Sequence, residues 1–269
     1  MKKKVLVLDI DGTLTNSAKI ITDRTKQALW KMQENGGTVV IASGRPTKGT
    51  RFVSEECRLK EYGGYVLSYN GARIVRYRDG EILYNHPFPK QYLSELFEVT
   101  KSHDVGLITY DTKDNIITAT RHDRYMELES RINNLPFFDV KDFVGAITFP
   151  ISKCLFSGEP EILAPLTLSL QKRYKGILNI YRSEPFFLEI MPPAVDKAFA
   201  LSHLIPSLGF SAADVVSCGD GFNDITMLQY AGVGVAMANA QSAVKEAADE
   251  ITLSNDEDGL VPIIEKYFM

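Results

Sequence analysis

The chain has 269 residues, of which 45% are hydrophobic, enough for one large or two modest hydrophobic cores. Its net charge of −4 gives no general attraction to nucleic acid or to anionic membranes, and we expect neither as a partner. Cys57, Cys154 and Cys218 are odd in number and lack C-x-x-C spacing, which favours reduced structural thiols over a disulfide or a zinc site.

The first apolar run, Val5-Leu6-Val7-Leu8, is followed by two carboxylates, Asp9 and Asp11, and by Gly12. This pattern predicts a buried parallel strand that ends in a loop. The acidic pair suits either a functional site with a cation between the acids or a strand end whose aspartates cap a turn. Residues 2–4 are lysines, as at the start of a signal peptide, but the apolar run stops after four residues, so we expect a cytoplasmic protein.

Strands and helices alternate over the next part of the chain. We predict a helix over 22–35, a strand over 38–42, a helix toward residue 56, a strand over 65–68 and a hairpin around Asp79-Gly80. The alternation predicts an α/β fold with a doubly wound, Rossmann-like parallel sheet. Because the carboxyl ends of parallel strands meet at one edge, Ser43 is expected beside Asp9.

The pattern changes between about residues 85 and 190. We predict helices over 91–102 and 161–174, and short strands over 106–110, 115–120, 150–157, 177–181 and 186–190. This mixture indicates an α+β insertion large enough to fold by itself. We therefore assign residues 1–84 and 191–269 to a discontinuous core domain and 85–190 to an inserted domain.

The core pattern then resumes. We predict helices over 196–208, 223–231, 240–248 and 259–267, and strands over 215–218, 233–237 and 250–253. Lys197 lies near the start of the first of these helices, and Asp220 follows the first of these strands.

Polar side chains thus gather at one predicted sheet edge, namely Asp9, Asp11, Ser43, Lys197, Asp220, Asn223 and Asp224. A metal held by carboxylates, a hydroxyl donor and a fixed ammonium together suit a phosphate ester. Taken singly, Ser43 and Lys197 are weak signals, more often a turn hydroxyl and a solvated helix lysine, whereas D-x-D-G-T and G-D-x-x-N-D are each fairly specific.

The motifs resemble those of the haloacid dehalogenase superfamily. They are D-I-D-G-T at 9–13, Ser43 after an apolar strand, Lys197, and G-D-G-F-N-D at 219–224. The long insertion between Ser43 and Lys197 is similar to the type IIB cap of the Cof-like sugar phosphatases, and N-G-A at 70–72 also resembles that branch. One departure is A-V-D-K-A at 194–198, where that branch often has Gly, Ser and Gly in place of Ala, Asp and Ala, which affects the positioning around Lys197.

The resemblance implies a role for each motif residue. Asp9 would be the nucleophile that forms an aspartyl-phosphate, and Asp11 the general acid and then the general base. Lys197 would grip the phosphoryl group and keep Asp9 ionised. The other phosphate-binding residues would be Ser43, Gly44, Asn223 and Gly12.

The implied cofactor is Mg²⁺. Its ligands would be a carboxylate oxygen of Asp9, the backbone carbonyl of Asp11, Asp220, and Asp224 directly or through water. Arg45 would either assist phosphate binding or pair with an acidic residue. Arg182, Ser183 and Glu184 lie in a predicted turn of the cap, and they suit a sugar-binding role and a solvated turn equally well.

We therefore predict a Mg²⁺-dependent phosphatase for a small phosphorylated metabolite, with hexose phosphates the leading class and no obligate protein partner. A sugar phosphomutase of similar architecture and a noncatalytic phospholigand-binding regulator are the alternatives. A phosphatase would accumulate inorganic phosphate, whereas a mutase would accumulate an isomeric sugar phosphate.

Overall fold

The computed structural model describes residues 4–269, so Met1, Lys2 and Lys3 lie outside the described residues. The strands in the described part are β1 (Val5–Leu8), β2 (Thr38–Ala42), β3 (Tyr65–Ser68), β4 (Arg73–Arg76), β5 (Glu81–Asn85), β6 (Gly106–Tyr110), β7 (Ile116–Thr118), β8 (Phe137–Asp139), β9 (Cys154–Ser157), β10 (Asn179–Glu184), β11 (Phe187–Met191), β12 (Val215–Gly219), β13 (Val233–Ala236) and β14 (Glu250–Ile251).

The α-helices in the same residues are α1 (Asp23–Glu34), α2 (Arg51–Glu56), α3 (Leu59–Tyr62), α4 (Leu93–Ser102), α5 (Arg124–Asn133), α6 (Phe143–Ala146), α7 (Pro160–Arg173), α8 (Lys197–Ser207), α9 (Ile225–Tyr230), α10 (Ser242–Glu246) and α11 (Leu260–Phe268). Nowhere in residues 4–269 is a helix both long enough and apolar enough to cross a bilayer.

The chain divides into two compact units. The first contains the residues up to Tyr84 together with Asp196–Met269, and its eight-stranded sheet has the order β14-β13-β12-β1-β2-β3-β4-β5. Strand β1 pairs in parallel with both β12 and β2, whereas β4 runs antiparallel to β3. The predicted α/β fold is confirmed.

Strand β1 is apolar throughout because both of its faces are covered. Leu6 and Leu8 belong to a hydrophobic cluster with residues of α1 and α11, and Val5 and Val7 belong to a second cluster with residues of α8 and α9. A strand buried on both faces has no solvent side for polar residues. Its first polar side chain therefore comes where the strand ends.

The second unit contains Asn85–Val195, and its six-stranded sheet has the order β10-β11-β9-β6-β7-β8. Residues of α4 and α7 pack with one face of this sheet in a separate hydrophobic core. The unit ends at Val195, five residues beyond the predicted limit of residue 190, and β11 itself continues to Met191, which pairs with Asn179.

The region around Arg182, Ser183 and Glu184 also differs from the prediction. These residues form the end of β10, not a turn, because pairing with β11 extends the strand to Glu184. The register shifts between Arg182 and Glu184, which is the irregularity expected of a β-bulge. The chain reverses only at residues 185–186.

Candidate active site

The register of the parallel sheet brings the ends of three strands to one edge. Leu8 lies opposite Ile41 on one side and Cys218 on the other, and the backbone N–H of Asp9 donates to the Cys218 carbonyl at 3.1 Å. The residues that follow these strands therefore emerge side by side, as expected for a ligand site in an open α/β sheet.

Lys197 is the centre of the site. Its side chain is 0% exposed, and its Nζ donates to Asp9 Oδ1 at 2.6 Å and to Asp224 Oδ1 at 2.5 Å. It is the first residue of α8, whose N-cap is Asp196, with a carboxylate that accepts from the Phe199 N–H at 2.7 Å. The Cof-like branch often has Ser at this position, and Ser and Asp are both good N-cap residues. The replacement of Ser by Asp196 therefore preserves the start of the helix.

Gly71 allows its segment to pack closely against the start of α8. Its φ is +96°, and a Cβ there would lie 3.0 Å from the carbonyl carbon of Asp196 and from the Cβ of Ala200. Only glycine tolerates both the backbone conformation and the close contact. The N-G-A segment is therefore packed against the start of the helix that carries Lys197.

Three carboxylates surround the Lys197 ammonium closely enough to hold a metal. Oxygen atoms of Asp9, Asp220 and Asp224 lie within 4.8 Å of one another. Three negative charges and one positive charge leave a formal charge of −2, which a divalent cation would neutralise. Carboxylate oxygens are also the ligands that Mg²⁺ prefers, so the residues present fit this ion.

The proton affinities in the cluster reflect the excess of negative charge. Burial and then the nearby Asp224 carboxylate raise the pKa of Asp9 to about 8, although Lys197 acts to lower it. Burial also raises the pKa of Asp220 to about 6, against the hydrogen bond from Thr13. Lys197 lowers the pKa of Asp9, whereas burial and the neighbouring carboxylates raise it, so its role in keeping Asp9 ionised stays a prediction.

Asp224 is completely buried and its oxygens already have protein donors. Oδ2 accepts from the backbone N–H groups of Asp220 at 3.0 Å and Gly221 at 2.9 Å, while Oδ1 accepts from Lys197. This favours a contribution of Asp224 to metal binding through water over direct ligation.

Asp220 is oriented by the loop after β1. Thr13 donates its hydroxyl to Asp220 Oδ1 at 2.7 Å. Gly12 has a φ of +85°, and a Cβ at this position would lie 2.8 Å from Cγ of Asp220. The absence of a side chain at residue 12 therefore makes room for the Asp220 carboxylate, a role that we did not predict. Thr13 was also missed, although it belongs to the D-G-T motif.

The end of β2 provides a second polar group. Ser43 is buried, and its Oγ accepts the backbone N–H of Arg45 at 3.2 Å. A Cβ on Gly44 would lie 3.0 Å from the side-chain nitrogen of Asn70, and Asn70 Oδ1 accepts from the Asn223 side chain at 3.0 Å. Asn70 therefore connects two predicted phosphate-binding segments, and only its place beside Gly71 in the N-G-A motif could have indicated this.

Asp11 points to two cations. Arg45 donates from Nε to Oδ2 at 2.9 Å and from Nη2 to Oδ1 at 3.0 Å, and Lys19 donates from Nζ to Oδ1 at 2.8 Å. Burial raises the pKa of Asp11, but the hydrogen bonds from Arg45 and Lys19 outweigh burial and lower it. Of the two interpretations of Arg45, the structure shows the pairing with an acidic residue. No sequence signal indicated Lys19.

The predicted cap residues belong to the second unit. Arg182, Ser183 and Glu184 are exposed on β10, and the Ser183 hydroxyl donates to Glu189 Oε1 at 3.1 Å. Their role in substrate binding stays a prediction.

Comparisons with known proteins agree with this fold. Residues 6–264 match the family model described as haloacid dehalogenase-like hydrolase. A crystal structure of a haloacid dehalogenase-like hydrolase from Bacteroides thetaiotaomicron is 43% identical, with a TM-score of 0.93 over 99% of this chain and 100% of that chain. A Bacillus subtilis protein with the name "Putative phosphatase YxeH" is 32% identical over 97% of both chains. The structure of the HAD subclass IIB sugar phosphatase BT4131 is 25% identical, with a TM-score of 0.82 over 98% of both chains.

The fold and the acidic site define a hydrolase of the phosphatase class. The chain belongs to the family of haloacid dehalogenase-like hydrolases. The predicted superfamily and enzyme class are confirmed.

Proposed function

We propose that the protein is a Mg²⁺-dependent phosphatase that hydrolyses a small phosphorylated metabolite through an aspartyl-phosphate. The observation that carries the proposal is the buried Lys197 ammonium between Asp9 and Asp224, with Asp220 in the same cluster. A site with two formal negative charges in excess has no evident structural purpose, because burying unpaired charge opposes folding.

Asp9 is the proposed nucleophile. One of its oxygens attacks phosphorus, the bond from phosphorus to the leaving oxygen breaks, and the phosphoryl group remains on Asp9. Water then attacks this phosphorus, releases inorganic phosphate and restores the Asp9 carboxylate. Lys197 stabilises the phosphoryl oxygens in both steps, with Ser43, Asn223 and the backbone N–H groups of Gly12 and Gly44 as further donors.

Asp11 is the proposed general acid and base. It gives a proton to the departing alkoxide and later takes one from the attacking water. Arg45 and Lys19 hold it as a carboxylate before substrate arrives. The negative charge of a bound phosphoryl group would raise its proton affinity and draw Arg45 toward the phosphate, and both effects favour the acid form.

Mg²⁺ would be held by Asp9, the backbone carbonyl of Asp11 and Asp220, with Asp224 through water. When bound, it supplies positive charge that neutralises the cluster and the phosphoryl oxygens.

A sugar phosphate, with hexose phosphates first, is the proposed substrate. The support is the similarity over 98% of the chain to the sugar phosphatase BT4131, at 25% identity. In the second unit, Arg182, Ser183 and Glu184 remain the proposed contacts to sugar hydroxyls.

Phosphate release from p-nitrophenyl phosphate, with Mg²⁺ and with a chelator, tests the reaction. We expect activity only with Mg²⁺, and Asp9→Asn and Asp11→Asn should each lower kcat by at least about 100-fold. Full activity of Asp9→Asn would refute the mechanism. A panel of hexose phosphates, nucleotides, pyridoxal phosphate and flavin mononucleotide then tests the substrate class, and conversion of a hexose phosphate to its isomer without phosphate release would identify a mutase.

A further inference from the structure

We propose that Lys19 is a positioning residue for Asp11, a role that rests on the proposed function of Asp11 as general acid and base. Its Nζ lies 2.8 Å from Asp11 Oδ1, the oxygen that also accepts from Arg45 Nη2. The guanidinium and the ammonium together fix the rotation of the carboxylate.

The loop that carries Lys19 has an unusual backbone. Lys19 has a φ of +60°, in the left-handed region, which is unfavourable for a residue with a side chain. Asn16 holds this conformation, because its Oδ1 accepts from the N–H groups of Ala18 at 3.0 Å and Ile20 at 3.2 Å. The Lys19 N–H donates to the Asn16 carbonyl at 2.8 Å.

The same loop is anchored to a distant part of the first unit. Ser17 donates its backbone N–H to Asp256 Oδ1 at 2.8 Å and its hydroxyl to Asp256 Oδ2 at 2.7 Å, across 239 residues of sequence. Asn255 also donates from its side chain to the carbonyl of Thr15 at 3.0 Å. The loop is therefore fixed without the contact between Lys19 and Asp11, so that contact is a consequence of how the loop is built.

Lys19 provides a second cation on a separate loop. It matters because Arg45 can interact with two anions, the Asp11 carboxylate and a bound phosphoryl group. Arg45 follows Ser43 and Gly44 directly, and its N–H donates to Ser43 Oγ, so a phosphoryl group bound there would compete with Asp11 for the guanidinium. Lys19 lies on the loop after β1 and would keep Asp11 aligned with the leaving oxygen when Arg45 turns. The Lys19 side chain is 61% exposed, and an ion pair so exposed adds little to folding stability.

The leaving group provides the test. Phenol has a pKa of about 10, like tyrosine, and needs a proton from the enzyme more than p-nitrophenol does. We would compare kcat/KM for phenyl phosphate and p-nitrophenyl phosphate in the wild type, Lys19→Met and Lys19→Arg, with saturating Mg²⁺. Lys266→Met is the matched control, because Lys266 forms a similar exposed pair with Glu250 at 2.7 Å.

We expect Lys19→Met to lower kcat/KM for phenyl phosphate about tenfold and for p-nitrophenyl phosphate about twofold or less, because only the first depends strongly on a well-placed general acid. Lys19→Arg should restore most of the loss, and Lys266→Met should match the wild type. Equal losses of kcat/KM for both substrates would show that Lys19 only attracts the anionic substrate, and they would overturn the proposal. An unchanged kcat/KM for both substrates would also overturn it. If the wild type released no phosphate, the proposed function would fail and this proposal with it.

Discussion

Replacement of Lys197 by methionine tests the electrostatic account of the site. The substitution keeps an unbranched side chain as far as Cε and removes the ammonium that lies 2.6 Å from Asp9 and 2.5 Å from Asp224. Two opposite charges about 4 Å apart attract by about 4 kcal/mol at an effective dielectric constant near 20. The variant loses two such attractions. It also no longer has to remove an ammonium from water on folding, which costs several kcal/mol in the wild type.

We therefore expect Lys197→Met to lower the free energy of unfolding by about 3–5 kcal/mol, the range measured when one partner of a buried ion pair is removed. Trp30, the single tryptophan of the chain, lies on α1 in the first unit, so its fluorescence reports the unfolding of the unit that holds the site. Urea titrations with a chelator present would give the difference. Lys266→Met, at an exposed pair, should lose less than about 1 kcal/mol.

A second variant separates electrostatics from packing. Asparagine at residue 224 can still accept the two backbone hydrogen bonds from Asp220 and Gly221. In the Lys197→Met background, Asp224→Asn should recover about 1–2 kcal/mol, because it removes one of the carboxylates left without a counterion. A loss of less than about 1 kcal/mol in Lys197→Met, or no recovery in the double variant, would refute the reasoning.

Three further predictions concern other parts of the chain. Gly12→Ala should weaken Mg²⁺ activation at least about tenfold in a metal titration. The new Cβ would lie 2.8 Å from Cγ of Asp220, and the φ of residue 12 is +85°, which is unfavourable for alanine. Unchanged activation would contradict the close contact. Ala194 has a φ of +58°, so Ala194→Gly should raise stability by about 1 kcal/mol in thermal unfolding, and a lower Tm would contradict this. Burial lowers the pKa of His122, but its hydrogen bonds to two carboxylates, the shorter to Asp139 at 2.7 Å, outweigh burial and raise it. The pairing of protonated His122 with these carboxylates therefore stabilises the folded state. This stabilisation should be complete below the unfolded pKa of about 6.5 and be lost as the pH rises through the higher pKa of the folded state. His122→Gln should flatten the dependence of Tm on pH in that range, and an unaltered slope would argue against the pairing.

The sequence by itself determined the fold class and the segments that form the site. Both follow from local patterns, since a short apolar run that ends before a glycine-containing loop, such as the one before Asp9, indicates a strand buried on both faces. Parallel register then places Ser43 and Asp220 at the same edge as Asp9. The helix start at Lys197 is equally local, because it depends on the capping carboxylate of Asp196.

Tertiary structure alone decided how these groups are held. Asn70 meets Asn223 across 153 residues, and Lys19 reaches Asp11 from a polar loop whose sequence carries no periodic signal. The end of β10 at Glu184 has the polar composition of a turn, but its pairing with β11 made it a strand. Asn70 and Asn223 lie on distant segments, and the loop of Lys19 is held by Asp256 across 239 residues, so both arrangements are fixed only when the whole chain packs.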